Sequence, residues 1–163
     1  MAPHLMDTTT VCTQLAAALE TRGWMMATAE SCTGGMIAAR CTDLSGSSRW
    51  FERGFVTYSN AAKSELIDVP ETLIAQHGAV SEPVALAMAR GAVQHAHVQV
   101  SVAVTGIAGP TGGTPEKPVG TVWFAWCVGD RLSSQRMVFT GDRSAVREAT
   151  VAHALQGLLS RLS

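Results

Sequence analysis

Ser31 sits where an apolar run over residues 24–29 gives way to a helix predicted over residues 35–42, in the stretch Ala29-Glu30-Ser31-Cys32-Thr33-Gly34-Gly35. A strand that turns directly into a helix leaves backbone N–H groups unpaired at its bend. The helix dipole adds positive potential there, and two glycines let a ligand come close to the backbone. A serine at such a bend can act as a nucleophile, with neighbouring N–H groups holding the oxyanion. Two other readings fit the same residues: a plain helix N-cap and a passive phosphate cradle.

A second stretch, Tyr58-Ser59-Asn60-Ala61-Ala62-Lys63, closes a strand predicted over residues 50–58 and opens a helix over residues 61–67. Ten of the twelve basic residues are Arg; Lys63 and Lys117 are the two lysines and Tyr58 the one tyrosine. If the strands before Ser31 and Tyr58 are parallel neighbours, their C-terminal ends share one sheet edge, and Ser31, Tyr58 and Lys63 meet there. A lysine activates a serine only when its pKa falls well below about 10.4, and burial pushes it that way. A solvated helix residue is the ordinary alternative. Against it stands the placement of a cation in the first turn of a helix, where the dipole disfavours it.

A third stretch, Thr105-Gly106-Ile107-Ala108-Gly109-Pro110-Thr111-Gly112-Gly113, follows a strand over residues 98–105 and begins a loop over residues 106–118. It lacks the Gly-Lys-Ser/Thr ending of a P-loop and the Rossmann spacing. It suits a ligand phosphate or carboxamide, or is a surface crossover. Cys32 beside the serine reads as a small buried thiol. His95 and His97 are two apart on a helix and share no face, so no metal is expected. Arg143 and Arg147, one turn apart at the start of the last helix, face an anionic ligand, a neighbouring subunit or solvent.

The elements that must position these residues follow from periodicity. Helical spacing covers residues 8–22, with Gly23 as the stop. Short helices follow at 61–67 and 70–77. Ser81-Glu82-Pro83 starts a longer helix. Residues 98–105 alternate as a strand, and 121–128 and 132–139 form a hairpin across Gly129-Asp130, a Gly-first pair suited to a type II′ turn. Asp142 caps the last helix. The order is α-β-α-β-α-α-α-β-β-β-α. It implies an α/β fold with helices on both faces of a mixed sheet.

The 163 residues suit one domain, expected over 1–163 with 1–7 a flexible tail. At 47% hydrophobic and 15% charged residues the chain is not disordered. A formal net charge of −1 offers no basic excess for a polyphosphate backbone, so nucleic acid is not the expected ligand. No apolar run has the length of a membrane span. The N-terminus has no signal-peptide pattern, and the four cysteines read as reduced thiols, so a cytoplasmic protein is expected.

Together these stretches, with Phe55-Val56-Thr57 before Tyr58, Gly78-Ala79-Val80-Ser81, Gly120-Thr121-Val122 and Gly141-Asp142-Arg143, resemble the C-terminal domain of the competence/damage-inducible CinA family, which includes stand-alone nicotinamide-nucleotide amidases. The resemblance runs from about Thr8 to the C-terminus. It implies a three-layer α/β/α fold with a mixed, mostly parallel five-stranded sheet. It implies hydrolysis of the carboxamide of nicotinamide mononucleotide to nicotinate mononucleotide and ammonia, in pyridine-nucleotide recycling, without a cofactor. Serine, lysine and tyrosine of the family map onto Ser31, Lys63 and Tyr58. Lys63 is expected to take the Ser31 proton, directly or through Tyr58. Cys32, Thr33, Gly34, Gly35, Asn60, Thr105, Gly106, Ala108 and Gly109 are the expected oxyanion and substrate contacts. A homodimer or higher homo-oligomer is implied, and the chain has no room for the family's nucleotide-like N-terminal domain, which points to the stand-alone form. The rival reading is a phosphate or nucleotide sensor of the same family with no turnover, in which Lys63 is a charged phosphate ligand.

Overall fold

A computed structural model describes residues 7–163. Of the tail expected over residues 1–7, residues 1–6 lie outside the described residues; Asp7 caps the first helix through its carboxylate, which accepts from Thr10 N–H at 2.9 Å. The elements run α1 (Thr8–Arg22), β1 (Met26–Glu30), α2 (Met36–Thr42), a 3-10 turn (Ser47–Arg49), β2 (Phe51–Val56), α3 (Asn60–Ile67), α4 (Glu71–His77), α5 (Glu82–Ala96), β3 (Val100–Gly106), β4 (Thr121–Val128), β5 (Arg131–Val138) and α6 (Arg143–Leu162). The expected order holds, and the differences are at the ends. Trp24 N–H bonds back to Leu19 C=O behind the left-handed cap Gly23, so β1 starts two residues late. His97, also left-handed, stops α5, and Val98 N–H bonds to Val93 C=O, which delays β3.

One five-stranded sheet has the order β2-β1-β3-β4-β5. β1 is parallel to both β2 and β3, and β4 is antiparallel to β3 and β5. Four strands therefore point one way and β4 the other. Positive φ at Gly129 and not at Asp130 fits the type II′ hairpin. The period-2 alternation of the strands sorts large from small side chains. Val100, Val102, Val104, Phe124, Trp126 and Val128 face one core with α1, α2 and α6. Ala27, Ala29, Ala103 and Ala125 face the other with α3, α4 and α5. The alanine face lets α5 lie close to the sheet, where Ser101 Oγ donates to Ala89 C=O at 2.7 Å. Among the described residues no helix is long and apolar enough to cross a membrane.

The chain leaves β1 through α2 on one face and returns from β2 through α3, α4 and α5 on the other. The edges of β1 and β3 thus form a switch point, and in open α/β sheets ligands bind outside the strand C-termini at such a place. Register puts Glu30, the last residue of β1, beside Val56 of β2 and Val104 of β3. Ser31, Thr57-Tyr58 and Thr105-Gly106 therefore emerge at one edge.

The seat of α3 against α5 depends on Gly91. A Cβ there would lie 2.1 Å from the Ile67 carbonyl oxygen and 3.0 Å from Ile67 Cβ. Gly91→Ala is expected to destabilise the protein by about 1–3 kcal/mol through overpacking, although alanine is the better helix former. Urea unfolding of the two proteins checks this; an unchanged or raised midpoint contradicts the close approach.

Candidate active site

Ser31 follows β1 and is anchored by its N–H, which donates to Val104 C=O at 3.1 Å. Its Oγ lies 3.2 Å from Lys63 Nζ and 3.4 Å from the Tyr58 carbonyl oxygen. The serine is 8% exposed and opens into a pocket of about 220 Å³ between the ends of β1, β2 and β3. The expected meeting of Ser31 and Lys63 is present.

Lys63 is the fourth residue of α3, whose cap Ser59 accepts from Ala62 N–H at 3.0 Å. Helical side chains lean toward the helix N-terminus, so Nζ reaches back over the first turn. It meets the carbonyls of Thr57 at 3.0 Å, Tyr58 at 3.3 Å and Ser59 at 3.4 Å as well as Ser31 Oγ. The residue is 1% exposed. Burial holds the amine below the ordinary lysine value of 10.5. The opposing influence is negative charge on Cys32, which a neutral thiol does not supply. With two N–H bonds on carbonyls, a neutral amine still has a lone pair for the Ser31 hydroxyl proton. In the charged form the Ser31 hydroxyl turns to the Tyr58 carbonyl instead.

The turn after Ser31 corrects one expectation. Its helix N-terminus is not an open anion site, because the Glu30 carboxylate fills it. Glu30 is 1% exposed and accepts from Ile37 N–H at 2.8 Å, Ala38 N–H at 3.0 Å and Thr33 Oγ1 at 2.6 Å. Gly34 N–H is spent on Ser31 C=O and Met36 N–H on Thr33 C=O, both at 3.1 Å. Gly34 is therefore not free to donate to an oxyanion, while the N–H groups of Cys32 and Thr33 meet no protein oxygen among the described residues. Gly35, left-handed with φ 108°, is the N-cap of α2, and its N–H likewise meets no protein oxygen among the described residues. The sequence signal for Glu30 was its position, an acid three residues before a threonine and at the mouth of a helix, but a carboxylate reaching forward across a bend belongs to no linear capping pattern.

The structure brings the Tyr58 backbone, not its phenol, to Ser31. The residue is 60% exposed, and its hydroxyl accepts from Arg143 Nη2 at 3.2 Å. Arg143 also donates from Nη1 to Gly109 C=O at 2.8 Å, which joins α6 to the loop after β3. Arg147, one turn on, donates to the carbonyls of Cys32 at 3.0 Å and Thr33 at 3.2 Å. Asn60, Gly106 and Ala108 line the pocket, as do Ala79 and Val80 from the turn before α5, a stretch that carried the family resemblance but was not among the expected site residues. Thr105 lines it too, with Oγ1 donating to Ala79 C=O at 2.9 Å. Gly109 shapes the rim: a Cβ there would lie 2.4 Å from Val119 Cγ1.

Cys32, beside the serine, is a different kind of group. Burial pushes its thiol up to about 11, and the charge of Glu30 adds to this. A thiol that stays protonated at neutral pH is a poor nucleophile. The chemistry available is therefore hydroxyl attack from Ser31 with an amine as base, next to a turn with unspent N–H groups.

The CinA C-terminal domain family matches residues 8–162. The curated nicotinamide-nucleotide amidohydrolase PncC of Escherichia coli (strain K12) is 56% identical over 147 residues, covering 89% of this chain and 88% of that one. The protein of the same name from Pseudomonas putida is 54% identical over 151 residues, covering 93% and 94%. Among solved structures, the competence/damage inducible protein CihA of Agrobacterium tumefaciens superposes with a TM-score of 0.92 at 40% identity, covering 98% of each chain. A CinA superfamily protein of Klebsiella pneumoniae gives 0.92 at 39% identity, covering 96% and 98%.

Iodoacetamide at pH 8 is expected to leave Cys32 unmodified in the folded protein and to label it after unfolding. Peptide mass mapping reads the outcome, and rapid labelling of native Cys32 would contradict the buried, protonated thiol.

Proposed function

The chain belongs to the CinA C-terminal domain family, and on that premise we propose that it is an amidohydrolase that deamidates nicotinamide mononucleotide through a serine acyl-enzyme. The observation that carries the reading is the buried contact of Lys63 Nζ with Ser31 Oγ at 3.2 Å. A lysine that serves only to hold phosphate has no use for an amine enclosed by three carbonyls and a serine. The names of the curated relatives supply the substrate.

Neutral Lys63 takes the Ser31 proton as Oγ bonds to the carboxamide carbon, and the N–H of Cys32, the pocket-lining residue next to the serine, is the donor suited to the developing oxyanion. Protonated Lys63 then gives its proton to the departing nitrogen as the C–N bond breaks, releasing ammonia. Water, deprotonated by the same amine, resolves the ester to nicotinate mononucleotide and free Ser31. The direct path needs no phenol between the two groups, so Tyr58 contributes its carbonyl to Lys63 and its hydroxyl to Arg143. Arg143 is the pocket-lining cation not enclosed at the nucleophile, and it is the residue suited to the substrate phosphate.

Ammonia release from nicotinamide mononucleotide by the purified protein tests the reading. Ser31→Ala is expected to abolish it and Cys32→Ala to keep most of it; an active Ser31→Ala protein would reverse the assignment of the nucleophile.

The base has its own signature. Because the deprotonated amine is the active form and burial lowers its pKa, kcat is expected to rise with pH and reach a plateau below the ordinary lysine range. Lys63→Arg keeps the charge but cannot give up its proton, so kcat should fall by about 10²-fold or more with binding retained. Near-normal kcat in Lys63→Arg across pH 6 to 10 would rule out the general-base role.

A further inference from the structure

Thr105, one residue before the end of β3, stands beside the nucleophile. β1 and β3 pair in parallel with Glu30 next to Val104, so the following residues, Ser31 and Thr105, are neighbours across the two strands. Ala29 and Ala103, two residues earlier, both face the core under α3, α4 and α5. With a side-chain period of two, Ser31 and Thr105 come up on that same face. Ser31 meets Lys63 of α3 there, and Thr105 meets Ala79, just before α5. Both residues line the pocket.

A threonine hydroxyl carries one hydrogen and two lone pairs. A carbonyl oxygen can only accept, so the 2.9 Å contact with Ala79 C=O spends the Thr105 hydrogen. The turn that carries Ala79 is itself held: Ser81 Oγ donates to Gly78 C=O at 2.8 Å and Lys117 Nζ to His77 C=O at 2.9 Å. Thr105 is buried and its oxygen receives no hydrogen bond from the protein among the described residues, so it offers the pocket lone pairs and no hydrogen. An acceptor of that kind cannot hold an oxyanion; it suits an N–H. A primary carboxamide presents two such hydrogens beside its carbonyl carbon, whereas the carboxylate that replaces it on hydrolysis presents oxygens alone.

We propose that Thr105 reads the NH2 group of the substrate carboxamide, accepting one of its hydrogens at Oγ1, and so selects the amide over the acid. The proposal rests on the amidohydrolase reading and gives that site its amide-selective contact. The carboxamide carbon must come to Ser31 Oγ to be attacked. Its nitrogen is one bond away, and neighbouring strands lie only about 4.8 Å apart, so the NH2 group is within reach of the next strand. The acid product meets the lone pairs of Oγ1 with lone pairs of its own. A buried acceptor left without its donor costs affinity, which is how a site built for an N–H rejects an analogue that lacks one.

The test measures binding to the Ser31→Ala protein, which holds ligand without turning it over, with Thr105 intact, as Thr105→Val and as Thr105→Ser. The ligands are nicotinamide mononucleotide, nicotinate mononucleotide and acetylpyridine mononucleotide, the methyl ketone that keeps the carbonyl and the shape but lacks the N–H groups. Charge on Lys63 acts on the acid, so the neutral ketone is the cleaner comparison. With Thr105 intact the amide is expected to bind about 10-fold or more tighter than the ketone. In Thr105→Val the two are expected to bind within about twofold of each other, because loss of the Ala79 contact weakens both alike and cancels in the ratio. Thr105→Ser, which keeps the oxygen, is expected to restore the preference for the amide over both other ligands. An amide preference unchanged in Thr105→Val would overturn the proposal, as would equal binding of amide and ketone with Thr105 intact. If Thr105→Val does not fold, Thr105→Ala takes its place with the same two outcomes. Ammonia release is measured separately with Ser31 in place: its absence would remove the amidohydrolase reading, while the ligand ratios would still decide the role of Thr105. Failure of all three ligands to bind would overturn both.

Discussion

A primary amine enclosed away from water is the constraint on which the site is built. Lys63 is 1% exposed, and a buried ammonium is costly unless it is neutralised or well bonded. The chain answers with the last carbonyls before α3, those of Thr57, Tyr58 and Ser59, and with Ser31 Oγ. These acceptors serve both protonation states: the ammonium has enough partners to persist, and the neutral amine can keep two bonds while its lone pair faces the serine. Such an arrangement needs β2 to end beside β1, α3 to start within a few residues, and α5 to lie close enough at Gly91 to keep α3 in place.

The turn after Ser31 is governed by a second requirement, the satisfaction of backbone polar groups at the start of a short helix. Glu30 supplies two acceptors for α2 N–H groups and one for Thr33 Oγ1. Gly34 and Met36 bond within the turn, and Arg147 takes the two carbonyls that remain on its side. What is left without a protein acceptor among the described residues are the N–H groups of Cys32, Thr33 and Gly35, and of these residues Cys32 lines the pocket. The negative carboxylate also makes the thiol of Cys32 harder to ionise, which separates the two adjacent nucleophile types.

The loop between β3 and β4 completes the enclosure. Ile107 N–H bonds to Thr121 C=O at 2.8 Å and Gly120 N–H to Ile107 C=O at 2.7 Å, so the loop leaves and rejoins the sheet at nearly the same point. Gly109 can approach Val119 only because it lacks a Cβ. Arg143 ties this rim to α6 and to the Tyr58 hydroxyl. Three separate segments are thereby held around one small pocket, each fastened to a rigid element.

The sequence by itself determined the elements and their order, because hydrophobic periodicity and a cap residue such as Asp142 are local properties, whereas the Asp7 cap fell in a stretch that read as tail. It also led to the expected meeting of Ser31 with Lys63 on one condition, that β1 and β2 be parallel neighbours, which the sheet order meets. Element ends were less legible: Trp24 and Val98 read as strand, but both still complete helix caps through bonds back to Leu19 and Val93. Only the tertiary structure decided which part of Tyr58 faces the serine, because a backbone carbonyl and a side chain of one residue cannot be told apart by spacing. It alone decided that the α2 N-terminus is filled by Glu30 and that Arg143 and Arg147, one turn apart on α6, reach different targets. Those contacts join residues up to more than a hundred positions apart, and they follow from how α6 packs on the sheet, which no local pattern encodes.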